Sequence, residues 1–214
     1  MLDYKEKPFE YYMHTRGEII SEVPIGSESV LEVGCAEGKT GAVLKGEGRA
    51  RHVVGIELMG EAAEKAKNVM DQVLIGSVEK MELPFAEGQF DVIILADVLE
   101  HLVDPWLTLR RLKFYLKPNG RIVVSLPNVR NWRVSMPLFF RGKWEYQDEG
   151  IMDRTHLRFF TRAGMMKMLR ECGFETKKIV PTGKRSKKFL RLHMSALSEL
   201  VAVQYVLVGQ LNKQ

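Results

Sequence analysis

The sequence predicts an α/β fold: a doubly wound, mostly parallel seven-stranded sheet with an antiparallel C-terminal strand and an insertion after strand five. Three observations predict it. An apolar run at 30–33 passes directly into a Gly-rich turn that ends at Gly38. A second apolar run, 53–56, stops at an acid, Glu57. Apolar runs and helical patterns then alternate as far as residue 126, the order of repeated βα units.

Each element has its own justification. Residues 9–22 carry Phe9, Tyr12, Ile19 and Ile20 among polar residues, which suits a helix, and Pro24 and Gly26 follow it. Strand 29–33 leads to a helix over 38–46, and strand 52–57 to a helix over 60–69. A short strand at 72–75 precedes the turn at Leu83 and Pro84. Strand 90–95 is almost wholly apolar, as expected of a central parallel strand covered on both faces. A helix over 104–116 stops at Pro118, Asn119 and Gly120, and strand 121–126 stops at Pro127. The connection 127–160 carries Trp132, Phe139, Phe140, Trp144, Tyr146, Phe159 and Phe160. A connection of that length in a compact domain is usually a lid or a binding loop. Thr161 caps a helix that runs to Glu171 and ends at Cys172 and Gly173. A strand at 174–180, a basic loop, a helix at 190–199 and a strand at 203–208 complete the chain. One domain is expected over 1–214, with a helical N-terminal segment at 1–27 and a lid or substrate insertion at 127–160.

Composition sets the class. The 214 residues are 45% hydrophobic and 28% charged, ordinary for a globular chain with a real core. Cys35 and Cys172 lie in unrelated contexts, which excludes a disulfide framework and points to a reducing, cytoplasmic setting. The start is charged and has no apolar stretch of the kind that leads a protein to secretion, and no apolar run reaches the length of a membrane span. The formal net charge is +5, and Lys177, Lys178, Lys184, Arg185, Lys187, Lys188 and Arg191 cluster late in the chain. Such a run is a solvated face or a landing patch for a phosphorylated, nucleotide-linked or lipid-linked substrate. Interleaved aromatics of the RNA-binding kind are missing, so nucleic acid is not an expected partner.

Gly34 and Gly38 let the main chain turn tightly and lie close to a ligand, with the N–H groups beyond the strand facing a polar group. An acid at the tip of the second strand, here Glu57, commonly holds ribose hydroxyls. The spacing Gly34–Gly38 is not the G-x-G-x-x-G of pyrophosphate binders, which argues against a dinucleotide-dependent oxidoreductase.

On these residues the chain resembles the class I S-adenosylmethionine-dependent methyltransferases. The first family motif is acid-x-Gly-x-Gly-x-Gly, and here it reads Glu32-Val33-Gly34-Cys35-Ala36-Glu37-Gly38, with Ala36 for the middle glycine. The resemblance continues through Glu57, residues 76–85, 90–102 and 116–125. It implies the Rossmann-like methyltransferase fold and S-adenosyl-L-methionine as cofactor. Gly34, Cys35, Ala36 and Gly38 would approach its methionine part, with Glu32 orienting the turn. Glu57 would take the ribose hydroxyls, Leu58 would pack on the adenine, and Gly76, Ser77 and Val78 would border it. Ala96 and Asp97 would border the methionine, and Arg16 is a candidate partner for the cofactor carboxylate or the substrate.

A second constellation joins Asp97, Glu100 and His101 to a later His156. It resembles the Glu-x-x-Glu-His and later His pattern of metal-dependent O-methyltransferases of ubiquinone biosynthesis and of small-RNA 2′-hydroxyls, with Asp97 for the first Glu. That resemblance implies Mg or Mn held by Asp97, Glu100, His101 and His156. A metal-free reading makes His156 or His101 the general base. A third makes His156 a polar tie for the connection. Residues 126–132 and 153–161 are similar to bacterial methyltransferases found with glycosyltransferases. The expectation is therefore O-methylation of a small-molecule, sugar or polysaccharide hydroxyl, the acceptor being anionic if the basic run serves it. Methylation of nitrogen or carbon is the near alternative, and a non-catalytic binding module of the same fold the further one.

Overall fold

The computed structural model describes residues 17–183 and 196–212. Seven strands form one sheet: β1 (Ser27–Val33), β2 (Ala50–Glu57), β3 (Gln72–Ile75), β4 (Phe90–Ala96), β5 (Leu116–Pro127), β6 (Phe174–Thr182) and β7 (Gln204–Leu211). The order across the sheet is β3-β2-β1-β4-β5-β7-β6. The first five strands in that order pair in parallel, and β7 runs antiparallel to both of its neighbours. The doubly wound, mostly parallel architecture with an antiparallel last strand is the one the sequence predicts.

Period-two alternation sorts the strand side chains to two faces. Leu31, Val33, Ile93, Leu95, Ile122 and Val124 lie in the cluster covered by α4 (Pro105–Phe114) and α6 (Arg162–Glu171). Val30, Val53, Val92, Ile94 and Val123 lie in the other, where α1 (Gly17–Ile20), α2 (Lys39–Gly46) and α3 (Gly60–Ala66) contribute Ile19, Leu44 and Ala66. With both faces covered, the central strands read as continuous apolar runs.

The caps that end these helices are the expected ones in part. Asp104 accepts from Leu107 N–H at the start of α4, and Thr161 accepts from Gly164 N–H at the start of α6. Elsewhere the structure corrects the sequence reading. Helix α3 ends at Ala66, short of 69. Pro118, Asn119 and Gly120 do not precede β5 but lie inside it, where the β4–β5 register shifts between Phe90 and Val92. The shift absorbs the proline that would break an uninterrupted ladder. The connection 127–160 contains a helix, α5 (Trp132–Arg141), which the sequence reading lacks. Asn131 caps it by accepting from Arg133 N–H (3.0 Å), and Gly142 ends it in the left-handed region at φ 62°. Of the helix expected at 190–199, α7 (Ala196–Val201) is described. Residues 9–16, with Arg16, lie outside the described residues, as do Lys184, Arg185, Lys187, Lys188 and Arg191.

Candidate functional site

The strand order reverses between β1 and β4, and in open α/β sheets ligands bind at that point, beyond the carboxyl ends of the strands. A cavity of about 1760 Å³ opens there. Its walls include Gly34, Glu57, Ser77, Asp97, His101 and His156.

One wall is made mostly of backbone. Gly34 (φ 71°), Ala36 (φ 46°) and Gly38 (φ 79°) are all left-handed, so the chain doubles back after β1. A Cβ on Gly34 would stand 2.6 Å from Val98 Cγ2, and one on Gly38 would stand 2.8 Å from Val69 Cγ2 and 3.1 Å from Ala66 Cα. Ala36 shows that an alanine can hold the middle position, at the energetic cost of a non-glycine residue in that region. The N–H groups of the turn do not all face the ligand space, as the sequence reading expected. Gly34 N–H and Cys35 N–H donate to Ile56 O (2.8 and 3.2 Å), and Gly38 N–H donates to Cys35 O (2.8 Å). Ala36 N–H donates to Glu57 Oε2 (2.8 Å), and Met59 N–H donates to Glu57 Oε1 (2.8 Å). Glu57 therefore ties the β1 turn to the end of β2. Each of its oxygens keeps a second lone pair for a hydroxyl donor.

Glu32 lies behind this turn, buried and in the cavity wall. Burial pushes its carboxyl up to about 8, against hydrogen bonds from Thr40 and Gly41 that pull it down, and the Glu57 charge adds to the rise. Its Oε2 is buried without a hydrogen-bond partner. An orphaned carboxylate oxygen beside a second acid suits a ligand that brings a cation and hydroxyl donors, as S-adenosylmethionine does with its sulfonium, ammonium and ribose. Cys35 contributes backbone to the turn, but its thiol is buried against Gly55, where a Cβ would stand 2.6 Å from Sγ. Burial first, then Glu32 and Glu57, holds that thiol protonated far above its ordinary range. Leu58 is exposed at the rim, and Gly76, Ser77, Val78 and Ala96 line the cavity beside it.

Asp97 ends β4 at φ 55°. Its Oδ1 accepts from Ser125 Oγ (2.7 Å) on β5 and from Gln204 Nε2 on β7, and Gln204 Nε2 also reaches Ser125 Oγ (2.9 Å). Sequence reasoning missed Ser125 and Gln204. Nothing near Asp97 in the chain signals them, because Gln204 joins the site only through the antiparallel pairing of β5 and β7.

The opposite wall is made of side chains. Glu100 and His101 sit on a short 3-10 turn, Leu99–His101, and His156 on the connection after β5. Glu100 O accepts from Leu157 N–H (2.8 Å) and Arg158 N–H (3.0 Å), which pins the two segments together. Asp153 Oδ1 accepts from Thr155 N–H (2.9 Å) and Thr155 Oγ1 (2.7 Å), forming the buried turn that delivers His156. His101 Nδ1 lies 3.1 Å from Thr155 O, and His156 Nδ1 lies 3.0 Å from Ile151 O. A carbonyl can only accept, so both Nδ1 atoms carry hydrogen. The rings meet edge to face at 4.7 Å, and His156 Nε2 is 4.0 Å from Glu100 Oε1. One ligand atom each from Glu100, His101 and His156 falls within 4.8 Å of the others. Asp97 does not belong to that group, contrary to the sequence expectation. Ser125 and Gln204 hold its carboxylate on the β5–β7 side, so the four-residue metal set reduces to three.

The connection supplies the rest of this wall. Arg133, Val134, Pro137 and Arg141 of α5 line the cavity, with Lys143 and Trp144 beyond them. Trp144 and Tyr146 pack on Phe159 at 5.0 and 6.1 Å, and Phe159 in turn packs on His156 at 6.2 Å. Trp132 instead faces outward. Asn128 Nδ2 donates to Glu199 O and Ala202 O, and Asn131 Nδ2 to Val201 O and Ala202 O. The asparagines of the 126–132 motif thus satisfy the last carbonyls of α7 and fix where α5 begins. Lys177 and Lys178 are on β6, away from the cavity, paired with Glu175 and Glu22.

Against this geometry the comparisons with known proteins can be set. Residues 4–179 match the model of a methyltransferase domain. The chain is 28% identical over 104 residues to 27-O-demethylrifamycin SV methyltransferase of Amycolatopsis mediterranei, covering 46% of this chain and 38% of that one. It is 25% identical over 164 residues to demethylmenaquinone methyltransferase of Listeria monocytogenes, covering 68% and 69%. It is 31% identical over 108 residues to O-methyltransferase cnsE of Penicillium expansum, covering 48% and 39%. The chain thus spans well under half the length of the first and third of these relatives. Among solved structures, an S-adenosylmethionine dependent methyltransferase from Mesorhizobium loti superposes with a TM-score of 0.64 at 15% identity, covering 90% of this chain and 95% of that one. A SAM dependent methyltransferase from Archaeoglobus fulgidus gives 0.65 at 16% identity, covering 94% and 96%. At such identities the likeness is one of fold.

Proposed function

The chain belongs to the methyltransferase-domain family and is an S-adenosylmethionine-dependent methyltransferase; from that premise we propose that it methylates a hydroxyl oxygen of a small molecule, sugar or polysaccharide, with His156 accepting the hydroxyl proton. The observation that carries this reading is the pair of imidazoles whose Nδ1–H groups are spent on backbone carbonyls. Both histidines line the cavity shared with the turn at Gly34, and Nε2 is the ring nitrogen left to exchange a proton there. Two relatives whose names specify O-methylation support the same atom type. The cofactor, when bound, supplies an activated methyl group. The protein's part is then to hold it, to orient the acceptor, to exclude water and to take one proton. Glu57 would hold the ribose hydroxyls, Leu58 and Val78 would flank the adenine, and Ala36 and Asp97 would border the methionine. The flat faces of Trp144 and Tyr146 suit a sugar ring, and Arg133, Arg141 and Lys143 suit an acceptor that carries an anionic group. Two free buried cysteines fit a reducing, cytoplasmic setting.

One observation favours a second reading of the same wall. Glu100, His101 and His156 offer one carboxylate and two imidazoles close enough together for a single cation, and the Nδ1–H anchors fix both rings as a metal's second shell would. Mg or Mn would polarise the acceptor hydroxyl, although two imidazoles shift preference toward transition metals. A labelled-methyl screen against sugars, nucleotide sugars and phenols, run with and without chelator, tests both. An O-methyl product formed at full rate in chelator supports the metal-free base. Loss in chelator with recovery on Mn²⁺ supports the metal. A methyl found on nitrogen or carbon overturns the acceptor class, and no transfer to any acceptor despite tight cofactor binding favours a binding module.

A further inference from the structure

Helix α5 is amphipathic in the wrong direction for a helix of a globular protein. Trp132, Met136, Phe139 and Phe140 recur at i, i+4, i+7 and i+8, the spacing of one helical stripe. In most helices such a stripe faces the core. Here it faces outward: Phe139 is 81% exposed, Phe140 67%, and Trp132 and Met136 45% each. The two phenylalanines touch each other edge to face at 4.9 Å. Val134 is the one buried residue of the helix. The other side of the same helix lines the cavity through Arg133, Val134, Pro137 and Arg141, so the bare stripe runs along the cavity mouth.

Helix α5 itself carries only cations, Arg133 and Arg141, and acids begin just beyond it at Glu145, Asp148 and Glu149. Between residues 130 and 144 there are Arg130, Arg133, Arg141 and Lys143 and no Asp or Glu. Arg130 is held by Glu199, and Lys143 lies 3.1 Å from Glu145. Among the described residues no carboxylate pairs with Arg133 or Arg141, and Arg133 lies 5.8 Å from the Trp132 ring. Protruding aromatics flanked by two such cations are what an anionic, apolar-backed surface accepts.

We propose that α5 is an interfacial helix that seats Trp132, Met136, Phe139 and Phe140 in the headgroup boundary of an anionic phospholipid bilayer, with Arg133 and Arg141 at the phosphates. No helix among the described residues is long and apolar enough to cross a membrane, so the contact is peripheral. It places the cavity mouth against the lipid, where an acceptor carried on an apolar tail enters without leaving the bilayer. The proposal stands whether the methylated atom is oxygen, nitrogen or carbon.

Vesicle co-sedimentation of the full chain tests it, with phosphatidylcholine alone and with added phosphatidylglycerol. The protein should sediment with the mixed vesicles, lose binding as salt rises, and show a blue shift of tryptophan emission. The double variant Phe139→Ser, Phe140→Ser changes side chains outside both the core and the cavity. It should bind S-adenosylhomocysteine as the wild type does, yet partition at least about tenfold less onto the mixed vesicles. Wild-type protein that stays in the supernatant with both vesicle types overturns the proposal, as does a double variant that sediments as well as wild type. Equilibrium sedimentation without lipid adds one more outcome: a dimer that the double variant abolishes, with no vesicle binding, would assign the stripe to a second copy of the chain and overturn the membrane.

Discussion

The two walls of the cavity are built in different ways. The wall from Glu32 to Met59 is a backbone device. Three left-handed residues fold the turn, and Glu57, at the end of the next strand, accepts from Ala36 N–H in it and from Met59 N–H. The wall from Glu100 to Gln204 is a side-chain device. Its histidines are aimed by carbonyls of Thr155 and Ile151, its helix is started by asparagines that reach α7, and Ser125 and Gln204 reach from it to Asp97, which lies between the walls. A backbone device tolerates few residues at a few positions and serves one ligand. A side-chain device keeps the scaffold while the acceptor changes, which is how one fold serves many substrates. Substitutions should therefore separate the walls: changes in the first should read in cofactor affinity, changes in the second in turnover.

The largest effect is expected at Gly34. Gly34→Val puts a branched side chain at φ 71° with its Cβ 2.6 Å from Val98 Cγ2. The turn must move, and titration with S-adenosylhomocysteine should find no binding while circular dichroism still reports the sheet. Normal affinity would show that this turn does not hold the cofactor. On the other wall, His156→Ala should lower kcat by roughly 10²–10⁴-fold, the usual worth of a general base. Cofactor affinity should stay near wild type, since His156 belongs to the second wall. Full activity on the true acceptor would reduce His156 to a tie for the connection.

Glu57→Ala returns to the first wall. It strands Ala36 N–H and Met59 N–H and removes the acceptor for two hydroxyls. Affinity for S-adenosylhomocysteine should fall by about 2–4 kcal/mol. Unchanged calorimetric affinity would sink the ribose assignment. Gln204→Ala tests where the two devices join. Asp97 loses one charge-assisted donor and keeps Ser125, so a loss of about 1.5 kcal/mol is expected, divided between cofactor affinity and kcat. A change in kcat alone would move Asp97 to the acceptor wall.

Legibility followed the same division. The first wall was readable because its parts sit at the ends of consecutive strands. Gly34, Gly38 and Glu57 are required by a turn and a strand end that the sequence itself marks. The second wall was readable as residue types but not as geometry. His101, Glu100 and His156 do meet, yet the Asp97 assigned to them is taken by Ser125 and Gln204 from strands far along the chain. Helix α5 was missed because Pro137 lies inside it and its apolar stripe has no core to face, so its aromatics read as a loop cluster. Asn128 and Asn131, inside the motif at 126–132, fasten α7, a role that the motif itself does not signal. Burial of Glu32 could be read from its place in an apolar strand, but its orphaned oxygen could not.

That oxygen gives the smallest and most diagnostic expectation. The Glu32 carboxyl is pushed up to about 8 in the folded protein from 4.5 in the unfolded chain, chiefly by burial. Below about pH 4.5 both states hold the proton, and the group costs nothing. As the pH rises from there to about 8, the unfolded chain releases the proton and the folded one retains it, so stability falls across that window and levels off above it. Glu32→Gln keeps the shape and removes the titration. Its stability relative to wild type should therefore grow between about pH 5 and about pH 8, by more than about 1 kcal/mol in urea unfolding. S-adenosylhomocysteine brings a cationic ammonium to the same wall, so saturating wild type with it should shrink the difference by favouring the ionised carboxyl. Parallel curves for the two proteins over that range would mean that Glu32 ionises in the folded state without penalty. The first wall would then be a solvated strand end rather than a dry cradle, and its contrast with the second wall would fail at its deepest residue.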